Sequence, residues 1–310
     1  MNAPNKTQIW LAQTRANFLL LAVLLVAIGT ALAYAFTEPG SRSWSWLDIA
    51  LIAIGVIASH ISVNLFNEYS DFNTKIDFNT LHNPFSGGSK MLVKGFTTPA
   101  AVLRVAIITL IIALLIGAYY VYASHWSLLF FILIGGFSIV LYTDLLAKYL
   151  MGELFSGLAL GTMVVLGTYI ALTTNWYMPI WEILPLEVIL ISIPPGILTS
   201  LLLLLNEFPD AEADKAGGRH HLVIRLGKKG AAYFYVAGLI LTFGIIAGIV
   251  VLGLFSPWML IALLPLPLAF KTGMTALKYG TQDEKIIPAM GMNVMIVLGT
   301  DLLLTIGVLL

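Results

Sequence analysis

The sequence contains no cysteine, which excludes disulfides, thiolate metal sites and cysteine nucleophiles. Charge is almost as scarce. Only 10% of the 310 residues are Asp, Glu, Lys or Arg, against roughly 25% in a soluble domain. The 16 basic residues balance the 16 acidic ones. With zero net charge and no basic run interleaved with aromatics, nothing points to nucleic acid. What is present is apolar: 59% of the chain, with a mean hydropathy of +0.94. These values describe a multispanning membrane protein, with the lipid bilayer as its principal partner and no protein partner implied.

A membrane helix needs roughly 20 apolar residues. Nine stretches qualify, at about 17–36, 47–67, 100–122, 127–146, 153–174, 186–206, 231–254, 257–271 and 286–309. The first lacks a small-residue cleavage pattern and is followed by further spans, so it reads as a retained helix rather than a signal peptide. With the N-terminus cytoplasmic, fifteen of the 16 Lys and Arg residues fall on the cytoplasmic side, Arg42 being the exception. This positive-inside bias favours an odd number of spans in the cell membrane, with the C-terminus outside. The expected fold is therefore all-α and polytopic: one domain over 1–310, nine transmembrane helices around a central cavity, with cytoplasmic cap loops at about 68–98 and 207–229.

Two polar interruptions carry the chemistry. The first, "NLFNEYSDFNTKID", runs from Asn64 to Asp77. His60, Asn64, Asn67 and Asp71 are spaced by four, three and four, which places them on one narrow arc of a helix. The second, "NEFPDAEADKAGGRHHLVIRLG", begins at Asn206 and repeats the four-residue spacing in Asn206, Asp210 and Asp214. Asn67 to Asn206 and Asp71 to Asp210 are both 139 residues, and Asp77 to Asp214 is 137. The motifs thus look like related elements at one membrane face, the functional ends of a weak internal repeat.

Four carboxylates at one depth, Asp71, Asp77, Asp210 and Asp214, repel one another unless cations sit between them. Hard oxygen ligands of this kind suit Mg²⁺, usually held by one or two carboxylates plus substrate phosphates. The arrangement invites a diphosphate. Two Mg²⁺ against four carboxylates and a diphosphate of about three negative charges leave the site roughly three units negative. Lys75, Lys90, Lys94, Lys148, Lys215, Arg219 and Arg225 lie on the same face to offset this. Acids that merely cap helix ends would not be expected to occur as two matched copies on one face.

At these residues the chain resembles the UbiA-type intramembrane prenyltransferases. Asn67, Asp71 and Asp77 match their first signature, and Asn206, Asp210, Asp214 and Lys215 their second. The "RLG" at Arg225–Gly227, Asn64, Tyr142 and the "GELFSGLALG" starting at Gly152 also fit. The six-residue step from Asp71 to Asp77, together with "NPFSGGS" at Asn83–Ser89, looks most like the 1,4-dihydroxy-2-naphthoate branch, which makes menaquinone precursors. His220 stands where that branch often has Thr. The resemblance implies transfer of a polyprenyl group from its diphosphate to an aromatic acceptor. It also implies metal ligation by the six motif residues Asn67, Asp71, Asp77, Asn206, Asp210 and Asp214. An apolar cavity would then shield the allylic cation from water.

Substrate contacts are expected from Asn64, Lys90, Lys94, Lys148, Lys215 and Arg219 around the diphosphate, and from Arg15, His60 and Tyr142 on the acceptor side. His60 reads either as a cavity residue or as a packed histidine bonding a carbonyl. Asp301 reads as an interhelical hydrogen bond or an outer-boundary acid. Pro194 and Pro195 are expected to kink the sixth helix, and Gly87 and Gly88 to form a flexible cap. His220 and His221 are adjacent and do not resemble a metal pair. Other readings remain: transfer to homogentisate, 4-hydroxybenzoate, a tetrapyrrole or an archaeal lipid glycerol. A secondary transporter with paired motifs is the reading from another class, although its site is expected at the bilayer midplane on broken helices rather than at one edge.

Overall fold

A computed structural model describes residues 4–37, 41–142 and 145–310. The described residues form helices and connecting loops with no strand. In chain order they are α1 (Lys6–Gln13), α2 (Leu19–Ala35), α3 (Trp46–Asn73), α4 (Ile76–Asn79), α5 (Pro99–Ala123), α6 (Leu128–Leu141), α7 (Gly152–Gly157), α8 (Met163–Thr173), α9 (Leu186–Ala216), α10 (Leu222–Val251), α11 (Leu266–Tyr279) and α12 (Asp283–Leu309). A π-helical turn at Leu158–Thr162 joins α7 to α8, and a 3₁₀ segment at Pro257–Leu263 leads into α11. Eight helical stretches among the described residues are long and apolar enough to cross a membrane, and α6 is a shorter apolar helix. Eight of the nine expected spans are therefore present among the described residues, with the shorter α6 at the place of the fourth, and the protein is a multi-span membrane protein.

Local chemistry sets many of the helix starts. Asn5 and Gln8 form a capping box on α1, and Ser45 and Asp48 form one on α3. Thr98 accepts from the Ala101 N–H just before Pro99, which opens α5 at a position where its missing N–H costs nothing.

Several ends differ from the hydropathy reading. α3 continues to Asn73 and α9 to Ala216, so both motifs are helical where the loops 68–98 and 207–229 were expected to begin. α10 starts at Leu222, with Gly227 at φ 70° breaking it, and α11 extends the eighth span to Tyr279. The physical reason is common to all. Apolar composition ends where polar surroundings begin, but backbone hydrogen bonding carries a helix past that point. α6 is shorter than the expected 127–146, whose residues 143–144 lie outside the described residues.

α9 is the most enclosed span, 67% of its apolar window being buried, and α5 the least at 11%, so α9 is central and α5 faces lipid. α9 packs on α10, α12 and α7, while α3 packs on α5 and α2. One core runs through α2, α8, α9, α10, α11 and α12. Small residues permit the tightest crossing: a Cβ on Gly157 would lie 2.6 Å from the Gly196 carbonyl oxygen. Thr162 there donates to the Ser192 carbonyl at 3.1 Å. The crossing directly follows Pro194 and Pro195 within α9. Asp301 is fully buried in α12, and neither carboxylate oxygen has a hydrogen-bond partner, so the expected interhelical bond is not formed.

Candidate active site

α3 and α9 carry one motif each and face each other across a cavity of about 180 Å³. The helical spacing aims Asn64, Asn67 and Asp71 into it from α3, and Asn206, Asp210 and Asp214 from α9. Asp77 joins them from α4. Two motifs separated by 139 residues in sequence thus line one space.

Arg219, in the turn between α9 and α10, links the two halves. Its Nη1 donates to Asp214 Oδ1 at 2.9 Å, and its Nη2 to Asp71 Oδ1 and, at 3.3 Å, to Asn67 Oδ1. Asn67 Nδ2 in turn donates to Asp71 Oδ2 at 3.0 Å. Burial opposes the Arg219 charge, but Asp71 and Asp214 more than offset this and hold the guanidinium above its ordinary range.

The loop from Asn83 to Lys90 closes against both motifs. Asn83 Oδ1 accepts from the Phe85 and Ser86 N–H groups at 2.9 and 3.0 Å, tightening the turn. The Gly87 N–H then donates to Asp210 Oδ2 at 3.0 Å. Gly87 and Gly88 have φ of 79° and 68°, and a Cβ on Gly88 would overlap the Asp77 carboxylate. Only glycine meets both demands at that position. Glu68 anchors the loop by accepting from Ser89.

Five carboxylates line the cavity, including Glu207, against two guanidiniums, Arg15 and Arg219. With every group ionised the lining is three charges negative. Burial, followed by the Asp71 and Glu68 carboxylates, pushes Asp77 up to about 7. Asp77 Oδ2, Asn206 Oδ1 and Asp210 Oδ1 are buried without hydrogen-bond partners. Unpaired hard oxygens in a negative cavity are the donor set that Mg²⁺ takes.

Of the fifteen candidate residues, eleven line this cavity, including Arg15, His60, Asn64, Tyr142 and Arg219. Lys90, Lys94, Lys148 and Lys215 do not. Lys90 sits at φ 61° and turns its ammonium back onto the Thr80 and Asp77 carbonyls and the Thr80 hydroxyl, holding the loop. Lys94, Lys148 and Lys215 are exposed. Lys215 is one residue from Asp214 on a helix, and the 100° step turns it away. Asn64 also steadies the entry to α2, donating to the Thr14 carbonyl at 3.0 Å beside Arg15 at φ 51°.

Sequence reasoning missed the loop N–H groups, Glu207, Glu153 and His221. Glu207 sits one turn before Asp210 and two before Asp214, a spacing that identifies the same face. No spacing signals Glu153. His60 lies at the junction of this cavity with a second, apolar one lined by α3, α5, α6 and α8, and Leu160 is shared with it. The His60 Nε2 has no partner, which makes it a cavity residue rather than a packed histidine.

Comparison with known proteins agrees with this architecture. The model of the UbiA prenyltransferase family matches residues 11–295. The 1,4-dihydroxy-2-naphthoate octaprenyltransferase of Bacillus subtilis (strain 168) is 32% identical over 274 residues, covering 86% of this chain and 82% of its own. The apo structure of a UbiA homolog from Aeropyrum pernix K1 superposes with a TM-score of 0.68 at 17% identity, over 92% of this chain and 96% of that one. A UbiA homolog from Archaeoglobus fulgidus bound to DMAPP and Mg²⁺ gives 0.61 at 14% identity, over 97% and 98%. The two structures establish a shared fold.

Proposed function

Because this chain belongs to the UbiA prenyltransferase family, we propose that it transfers a polyprenyl group from polyprenyl diphosphate to 1,4-dihydroxy-2-naphthoate, with two Mg²⁺ ions. The observation that carries this reading is the convergence of Asp71, Asp77, Asp210 and Asp214 on one cavity that opens into an apolar one. The acceptor rests on the Bacillus relative's name and on the Asp71-to-Asp77 spacing. The metal rests on the donor set and on the Mg²⁺ of the Archaeoglobus homolog.

Asn67, Asp71 and Asp77 hold the ions on one side, and Asn206, Asp210 and Asp214 on the other. Bound Mg²⁺ supplies positive charge to the leaving diphosphate, the chemistry that makes ionisation of an allylic C–O bond accessible. Arg219 offers a fixed cation between the two carboxylate sets, and the Gly87 region presents backbone donors above them. The apolar cavity takes the tail and keeps water from the allylic cation. Burying each five-carbon unit contributes about 4 kcal/mol at roughly 0.8 kcal/mol per methylene. His60, Tyr142 and Arg15 position the acceptor. The 68–98 and 207–229 segments, part helix and part loop, form the cap of a single domain. The Lys and Arg distribution supports a cytoplasmic cap and N-terminus, with the C-terminus outside.

The test is to incubate membranes with Mg²⁺, labelled geranylgeranyl diphosphate and a panel of acceptors, and to identify products by mass. A prenylated naphthoate product that is lost in EDTA is expected. Preference for homogentisate or 4-hydroxybenzoate would overturn the acceptor, and full turnover in EDTA the metal.

A further inference from the structure

Two residues of the cavity wall, Glu207 and His221, belong with Glu153 behind them to a second cluster that prenyl transfer leaves unused. Glu153 in α7, Glu207 in α9 and His221 just before α10 bring two carboxylate oxygens and a ring nitrogen within 4.8 Å of one another. Their exposures are 2%, 9% and 2%. Yet Glu153 Oε2, Glu207 Oε2 and both His221 nitrogens make no hydrogen bond. Two buried carboxylates with no cation between them are costly. The nearby guanidinium of Arg219 is already engaged by Asp71 and Asp214.

We infer that Glu153, Glu207 and His221 bind a transition-metal dication, Zn²⁺, at a site separate from the six motif residues. His221 Nδ1 lies 3.4 Å from Glu207 Oε2. That is long for a hydrogen bond, but two ligands on a tetrahedral ion with bonds of about 2.0–2.1 Å have this separation. On the far side of the ring, Nε2 lies 3.3 Å from Asp214 Oδ2. That approach is not a hydrogen bond as it stands, but it is within reach of one once Nδ1 is held by a metal, and a carboxylate behind a ligating imidazole then fixes its tautomer. Glu153 is held from behind as well, its Oε1 accepting the Leu222 N–H at 2.6 Å, which leaves Oε2 for the ion. Two carboxylates and a neutral imidazole balance a dication. The imidazole nitrogen selects Zn²⁺ over Mg²⁺, which takes oxygen. The ion would tie α7, α9 and α10 together where α10 begins. The competing arrangement is a proton in place of the metal, shared between the Glu153 and Glu207 carboxyl groups or held by His221 between Glu207 and Asp214.

The full-length protein, purified in detergent with excess Mg²⁺, is given one equivalent of Zn²⁺, dialysed and assayed by elemental mass spectrometry. Co²⁺ in its place reports a four-coordinate site by visible absorption. One retained Zn²⁺ per chain is expected, bound at least tenfold more weakly in Glu153→Gln and His221→Ala and unchanged in Asp71→Asn. Glu153→Gln keeps an acceptor for the Leu222 N–H, so it carries the test even where His221→Ala does not fold. No retained Zn²⁺ in the wild type would overturn the site in favour of a bound proton. Zn²⁺ lost in Asp71→Asn but kept in Glu153→Gln would overturn it in favour of the motif carboxylates. Neither result depends on which acceptor is prenylated.

Discussion

Replacing Arg219 by Met removes the guanidinium that joins the two motifs while keeping an unbranched apolar stem in its place. In the wild type the guanidinium contacts Asp71 and Asp214, and its side chain is only 13% exposed. Removing one partner of a buried ion pair costs about 3–5 kcal/mol, because the remaining charges are left uncompensated. At roughly 2 °C per kcal/mol for a chain somewhat above 250 residues, the metal-free melting temperature should fall by roughly 6–10 °C. Mg²⁺ should reverse much of that loss. An ion held by the motif carboxylates would offset the charge left at Asp71 and Asp214, and would no longer compete with the guanidinium for their oxygens. Each tenfold gain in Mg²⁺ affinity returns about 1.4 kcal/mol at saturation. The Mg²⁺-induced rise in melting temperature should therefore be larger in Arg219→Met than in the wild type. Transfer should nonetheless fall roughly a hundredfold, since a fixed stabiliser of the departing diphosphate is gone. Thermal unfolding followed by fluorescence-detected size exclusion, with EDTA or Mg²⁺, measures the first effect. Equal Mg²⁺ increments in the two proteins would refute the idea that Arg219 stands in for a metal charge.

Three further outcomes follow from the same geometry. Asp71→Asn and Asp210→Asn should each lower prenyl transfer and acceptor-free diphosphate release by more than roughly a hundredfold; near-normal transfer by both, in folded protein, would sink the ligand assignment. Asp77, pushed up to about 7 by burial and its acidic neighbours, is protonated below that pH and must lose its proton to take a dication. Mg²⁺ affinity measured by calorimetry should thus weaken as pH falls from about 7 toward 6, by up to about tenfold per unit, stay level above 7, and lose the slope in that window in Asp77→Asn. Gly88→Ala introduces a Cβ into the space of the Asp77 carboxylate at a φ of 68°. Activity should drop at least roughly tenfold while the transmembrane core, measured by melting temperature, changes little; unaltered turnover would show that the loop does not close on the motif.

Much of the site was legible because its signals are local. His60, Asn64, Asn67 and Asp71 needed only the 3.6-residue period to share a face, and the structure puts all four in the cavity wall. The lysines show where the approach fails. Lys90 and Lys215 lie in or beside the motifs, but a backbone at φ 61° folds one inward onto loop carbonyls and a single helical step turns the other outward. Proximity in sequence carries no direction. The span ends misled for a related reason: α3 and α9 stay helical through their charged ends, where composition had already changed.

The sequence by itself determined the solvent, the approximate places of the apolar helices and which motif residues share a helix face, because each depends on composition or on a repeat within one helix. The tertiary structure alone decided which groups meet. It brought the Gly87 N–H to Asp210, set Arg219 between Asp71 and Asp214, and gathered Glu153, Glu207 and His221 into one cluster. None of these pairings has a fixed sequence separation. They arise from helices that cross at glycines, and from loops whose positive-φ turns set where each donor points.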